Sequence, residues 1–260
     1  MKRSLRWALI LAVLGGLLTT LAFVGAFTYA RVQTFSTTVN VPNAVARKAV
    51  KAGFPAGDAA TQMAAPPGTV AVHKPWFSQK IFFFHVPIAV ASLVVMTIAA
   101  IFSLLFLIKR KKSYDTRAKV AMEATLVFII GTMISGDLWT RASWGVWWEW
   151  EPRLTTYAIL TLLVIAYFVL RNSVEDEERR ATYGAVFALF AWVDVPITFM
   201  ITRMMPSQHP ALTGLETSNL IPFMIGMAGM SMLGFAIYEL RFNEEHLRER
   251  LAALKEDLEG

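Results

Sequence analysis

Six apolar runs, at about residues 7–29, 81–108, 120–138, 155–170, 182–204 and 219–240, constrain this chain more than any other feature. An α-helix needs about 20 apolar residues to cross a hydrocarbon core, where no water is present to satisfy backbone N–H and C=O groups. Only structures that close their own hydrogen bonds survive there, and runs of this length do so as helices. The expectation is an all-α fold: a polytopic membrane protein with six transmembrane helices. The hydrophobic share of 55% and mean hydropathy of +0.48 agree with one membrane bundle and not with a set of soluble domains.

Charge sets the orientation. The net charge of +6 could suggest nucleic acid, but its placement argues against that partner. Lys2, Arg3 and Arg6 precede the first run, and Lys109, Arg110, Lys111, Lys112, Arg117 and Lys119 fill the second connection. Arg171, Arg179 and Arg180 lie between runs four and five, whereas Arg141, Arg153 and Arg203 are what the two short opposite connections carry. The positive-inside rule then puts both termini in the cytoplasm. Residues 1–240 form the transmembrane domain, with outer loops 30–79, 139–154 and 205–218, and residues 241–260 form a cytoplasmic tail. Leu247, Leu251, Leu254 and Leu258 give that tail the spacing of an amphipathic helix, docked on a partner or solvated. The basic start followed by roughly 23 apolar residues reads as an uncleaved span, since a signal-peptide core is shorter. There is no cysteine, so disulfides, thiolate metal sites and covalent thiol attachment of a cofactor are excluded.

The outer side collects the unusual residues. Between Ala30 and Gln79, five prolines and many small residues suggest irregular loop, with one short helix in ARKAVKAGF. His73 in this segment reads as a solvated side chain. His85, in FFFHVPIAV, sits about one turn outside the hydrocarbon core, where it is an interfacial hydrogen bonder or a metal ligand. Asp194 lies within run five beside Pro196, either as a functional carboxylate or as an internally paired one. His209 falls in the last outer connection, and His246 on the tail reads as solvent-facing.

Between them runs WTRASWGVWWEWEPRLTT, where five of the eight tryptophans, Trp139, Trp144, Trp147, Trp148 and Trp150, occur within twelve residues. Indole offers a broad apolar face and one donor, so the string is either an interfacial belt or a platform for a flat apolar ligand with acidic edges. Arg141 and Arg153 flank it. Glu151 suits a helix N-terminus, with Pro152 in the first turn. Two histidines approaching a planar ligand from opposite sides can both ligate a central iron, which makes bis-histidine haem a coherent reading of His85 and His209. Arginine then suits the propionates.

These residues resemble a known family. WGVWWEWEPRLT is similar to the tryptophan-rich WWD signature, WGxWWxWDxRLT, of the heme exporter protein C family of cytochrome c maturation. The matching positions are Trp144, Gly145, Trp147, Trp148, Trp150, Arg153, Leu154 and Thr155, with His85-Val86-Pro87 upstream and Val195-Pro196-Ile197 and His209 downstream. Glu151 stands where the signature has aspartate, Asp194 where an uncharged residue is expected, and segment 30–79 is longer than expected.

The resemblance implies a haem-handling protein, not an enzyme, in the bacterial cytoplasmic (inner) membrane. It would bind haem b non-covalently on the periplasmic side and present it to a periplasmic haem chaperone. ATP-binding-cassette subunits and a small single-span subunit would be its partners. His85 and His209 would be the axial ligands. Trp144, Trp147, Trp148 and Trp150, with Glu151, Arg153 and Arg141, would complete the site. The rival readings are a haem lyase or synthetase subunit, whose relatives are larger and richer in membrane histidines, and a proton-coupled small-molecule transporter using Asp194. A structural subunit whose tryptophans form only a protein interface is a further one.

Overall fold

A computed structural model of the chain describes residues 2–30, 34–40, 69–75, 79–205 and 217–259. Its helices are α1 (Lys2–Thr28), α2 (Gln79–Lys109), α3 (Lys112–Trp144), α4 (Pro152–Ser173), α5 (Glu177–Trp192), α6 (Asp194–Met204) and α7 (Thr217–Glu259). With α5 and α6 taken as one interrupted span, six segments are long and apolar enough to cross a membrane, as the apolar runs require. The protein is a multi-pass membrane protein.

Two expectations about the connections need correction. Segment 30–79 is not all irregular: β1 (Thr34–Asn40) pairs antiparallel with β2 (Thr69–Pro75), Thr34 opposite Pro75 and Ser36 opposite His73. The β-branched residues of TFSTTVN and TVAVHKP suit a pleated backbone, and the prolines that suggested loop lie mostly between the strands. The helix expected in ARKAVKAGF falls outside the described residues. The second correction concerns the tryptophan loop. α3 does not stop near Gly136 but runs two turns further, to Trp144, where Gly145 takes a left-handed φ of 82° and donates its N–H to the Arg141 carbonyl. An αL glycine closing a last turn is a common helix stop. The connection proper is therefore only residues 145–151.

Span five is broken. α5 ends at Trp192, Val193 turns, and α6 begins at Asp194. Pro196 explains it, since it has no N–H to give the Trp192 carbonyl and its ring crowds that oxygen. Asp194 lies buried in the first turn of α6, where Thr198 Oγ1 donates to its Oδ2 at 3.0 Å. The Asp194 carboxylate thus has a partner within its own helix.

The core lies where α2, α3, α4 and α7 meet, around Met96, Ala99, Val120, Met122, Ile129, Leu160, Val164, Tyr167 and Tyr238. Large apolar side chains such as Val13, Leu17, Ile108, Leu162 and Phe190 point outward instead, as expected of a bundle solvated by lipid. α1 packs on α7 through glycine: a Cβ on Gly229 would lie 2.7 Å from the Thr19 nitrogen, and one on Gly15 would lie 2.9 Å from the Gly229 oxygen. Small residues let two backbones approach closely where no hydrophobic effect drives helices together.

Charge concentrates at the end of the bundle opposite the tryptophans. Arg171 of α4 makes two hydrogen bonds to Asp115 of α3, at 2.6 and 2.9 Å, both side chains being nearly buried. Gly184 of α5 packs on that arginine, so closely that a Cβ there would lie 2.8 Å from Nη1. α7 continues well past the apolar run and is tied to α3 by Lys119–Glu245 at 2.6 Å, Arg241–Glu123 at 2.7 Å and Thr116–Glu249 at 3.2 Å. The tail is an extension of the last span, and its leucines, 42% exposed at Leu247 and 86% at Leu258, face outward. His246 stacks on Phe242 in the same stretch and is partly exposed.

Candidate functional site

α2 and α3 run antiparallel, so the start of α2 meets the last turns of α3. There the partly buried His85 ring is enclosed by α3 residues one turn apart. Its Nδ1 lies 3.0 Å from Ser135 Oγ. Trp139 meets it edge-on, ring centroids 5.5 Å apart and planes at 68°. Gly136 supplies the floor, because a Cβ there would come within 3.1 Å of His85 Cε1. Phe82, one turn before His85, packs against Trp139 and stacks on Phe223 of α7, so three helices hold this corner.

The chain then leaves α3 directly into the tryptophan connection. Trp144 ends the helix, partly buried. Arg141 reaches Nη1 to the Gly145 carbonyl and its guanidinium lies 5.8 Å from the Trp147 ring. Trp148 and Trp150 meet at 81° with centroids 5.4 Å apart. Their environments differ: Trp148 is partly buried, whereas Trp147 is 58% and Trp150 77% exposed.

Glu151 plays a local part. It is 5% exposed and serves as the N-cap of α4, its Oε1 accepting from the Leu154 N–H at 2.8 Å, while its carbonyl receives the Thr155 N–H and hydroxyl. The glutamate arm still reaches the third residue of the helix, so the cap bond is made despite the extra methylene relative to aspartate. Arg153, two residues on, extends Nη2 to Thr202 Oγ1 of α6 at 3.1 Å and so joins spans four and five.

Three buried donors in this region, Trp139 Nε1, Trp148 Nε1 and Arg153 Nε, have no acceptor among the described residues. Buried N–H groups are normally paired, and an orphan costs about 1–3 kcal/mol, so each is a candidate contact for an acceptor-bearing ligand. The structure thus groups His85 with the end of α3 and gathers Arg141, Trp147, Trp148, Trp150, Glu151 and Arg153 along the connection that follows. His209 lies outside the described residues. Sequence reasoning passed over Ser135 and Gly136 and counted Trp139 only as part of the aromatic string. The signal was present: positions 135, 136 and 139 share one helix face once α3 is extended to Trp144. Among the described residues there is no cluster of three or more His, Asp or Glu side chains able to hold a bare metal ion.

Comparison with known proteins follows the same residues. The family described as heme exporter protein C matches residues 29–257. The heme exporter protein C of Paracoccus denitrificans (strain Pd 1222) is 32% identical over 188 residues, covering 67% of this chain and 76% of that protein. That of Bradyrhizobium diazoefficiens is also 32% identical, over 183 residues, 68% of this chain and 70% of the relative. A putative cytochrome c biosynthesis ccmC-like mitochondrial protein of Marchantia polymorpha is 28% identical over 170 residues, 62% of this chain and 72% of its own. With nearly all of its spans inside the matched region, and the tryptophan string and the His85 corner among them, the chain belongs to the heme exporter protein C family.

Proposed function

We propose that this protein handles haem for cytochrome c maturation. It would hold haem b non-covalently at the outer face of a bacterial cytoplasmic membrane and present it to a periplasmic haem chaperone, beside ATP-binding-cassette subunits and a small single-span subunit. The reading rests chiefly on one observation: His85 is held against the two turns of α3 that lead into the tryptophan connection. An imidazole, an indole-rich shelf and orphan donors fit the parts of haem in turn, namely a ligand-seeking iron, a flat apolar macrocycle and two carboxylates. In this reading His85 and His209 ligate the iron, and the Trp139, Trp148 and Arg153 donors serve the carboxylate edge. The exposed Trp147 and Trp150 offer the chaperone an apolar landing surface. Beyond ligating the iron, the protein makes and breaks no covalent bond in this account. It binds, orients and releases, and the partners supply the energy and the covalent chemistry.

Absorption spectra of the detergent-purified protein, oxidised and reduced, test the proposal. Wild-type protein is expected to carry a low-spin haem signal that falls or changes in His85→Ala and in His209→Ala. Wild-type haem content in both variants would remove the axial assignment. Trp148→Ala is expected to retain the fold and lose haem or its hand-off, and unimpaired transfer would reduce the tryptophan string to an interfacial belt. A colourless protein that accumulates a solute in proton-loaded vesicles would favour the transporter built on Asp194.

A further inference from the structure

The hydrogen bonds around Ser135 decide which nitrogen of His85 carries the proton. Ser135 is 5% exposed and sits on α3 with its Oγ turned back along the helix. That oxygen lies 2.8 Å from the Gly131 carbonyl and 3.1 Å from the Thr132 carbonyl, and a carbonyl can only accept. A hydroxyl has one proton, and a back-bond to either of those oxygens, the usual choice of a serine inside a helix, commits it. What Oγ has left for His85 Nδ1, 3.0 Å away, is a lone pair. With the hydroxyl proton placed on the helix carbonyls, Nδ1 is the protonated nitrogen of the neutral ring, and the ring's own lone pair resides on Nε2.

The geometry points to Ser135 as a positioning residue. It fixes His85 in the Nδ1–H tautomer and aims Nε2 as the electron-pair donor, while Gly136 leaves room for the ring and Trp139 restrains its tilt. The inference rests on the haem-handling reading for its purpose but not for its geometry. Iron is held only by an unprotonated imidazole nitrogen, and a ligating histidine commonly gives its other N–H to a nearby acceptor that fixes tautomer and orientation. Here the acceptor is a hydroxyl whose proton is committed elsewhere in its own helix. Such a device needs no carboxylate, which would be costly to keep charged at the edge of the hydrocarbon.

The test has two independent readings. Nitrogen NMR of histidine-labelled protein in detergent without haem, with the His85 resonances assigned by His85→Ala, is expected to show a protonated Nδ1 and an unprotonated Nε2. Ser135→Ala is expected to lose that preference, and Ser135→Thr, which keeps a hydroxyl able to make the same back-bond, to restore it. In haem titrations Ser135→Ala should bind about 10–100-fold more weakly, the range typical for removing a partner behind a ligand, with Ser135→Thr close to wild type. A protonated Nε2 in the wild type would overturn the assignment, as would an unchanged tautomer and haem affinity in Ser135→Ala. The expected tautomers in a protein that binds no haem in any form would uphold the Ser135 assignment and sink the haem-handling reading instead.

Discussion

Glu151 shows how one residue can satisfy a family signature and a helix at once. Its carboxylate caps α4, which alone accounts for an acidic residue directly before Pro152. Glu151→Ala is expected to lower stability by about 1 kcal/mol, the usual cost of a lost N-cap, read as an earlier thermal transition in detergent. Glu151→Asp should stay close to wild type in the same measurement, since aspartate at an N-cap reaches the same turn of backbone N–H groups. A large effect of the aspartate on haem content with no effect on melting would assign the carboxylate a ligand contact beyond its cap. Asp194 follows a similar logic: Thr198 bonds it within one helical turn, so its burial is supported by a local partner.

Among the helices, the informative join is the Asp115–Arg171 pair, which crosses from α3 to α4 and has Gly184 of α5 packed against it. An arginine this enclosed is kept by its partner. Asp115→Ala is expected to cost about 3–5 kcal/mol, because it strands a buried charge. Asp115→Asn with Arg171→Met should recover much of that loss, because both charges then leave together. Equal unfolding of the single and double variants would show that packing, not charge, dominates this corner. The broken fifth span belongs to the same scale. Pro196 interrupts the helix within two turns of Thr202, the residue that receives Arg153, so the interruption and the link between spans four and five are neighbours.

For the molecule as a whole, the property that matters most is orientation. The tryptophan connection between α3 and α4 falls at the same end of the bundle as His85, and the α2–α3 and α4–α5 connections and the tail fall at the other. Absence of cysteine makes single-cysteine labelling clean. In intact cells a membrane-impermeant maleimide is expected to modify Val146→Cys, and to modify Ala253→Cys only after the membrane is opened. Both positions are exposed, so accessibility differs only by side. The reverse pattern would turn the haem site toward the cytoplasm and end the periplasmic reading.

The number of spans, their approximate limits, the pile-up of charge at one end and the family signature were all written in local stretches of sequence. Hydropathy over a window needs no knowledge of neighbours, and the bilayer imposes its demand for internal hydrogen bonding on each helix separately. What His85 touches was not legible that way. Ser135 is fifty residues distant in the chain, and the turns of α3 that carry it were hidden because polar Asp137 and Thr140 mask a helix that continues beyond the apolar run. The ribbon of β1 and β2 was hidden for a related reason, since strands separated by a long connection leave little periodic trace. Only the lateral packing of helices, a matter of side-chain shape and glycine gaps, decided which imidazole nitrogen faces a hydroxyl and which keeps the lone pair.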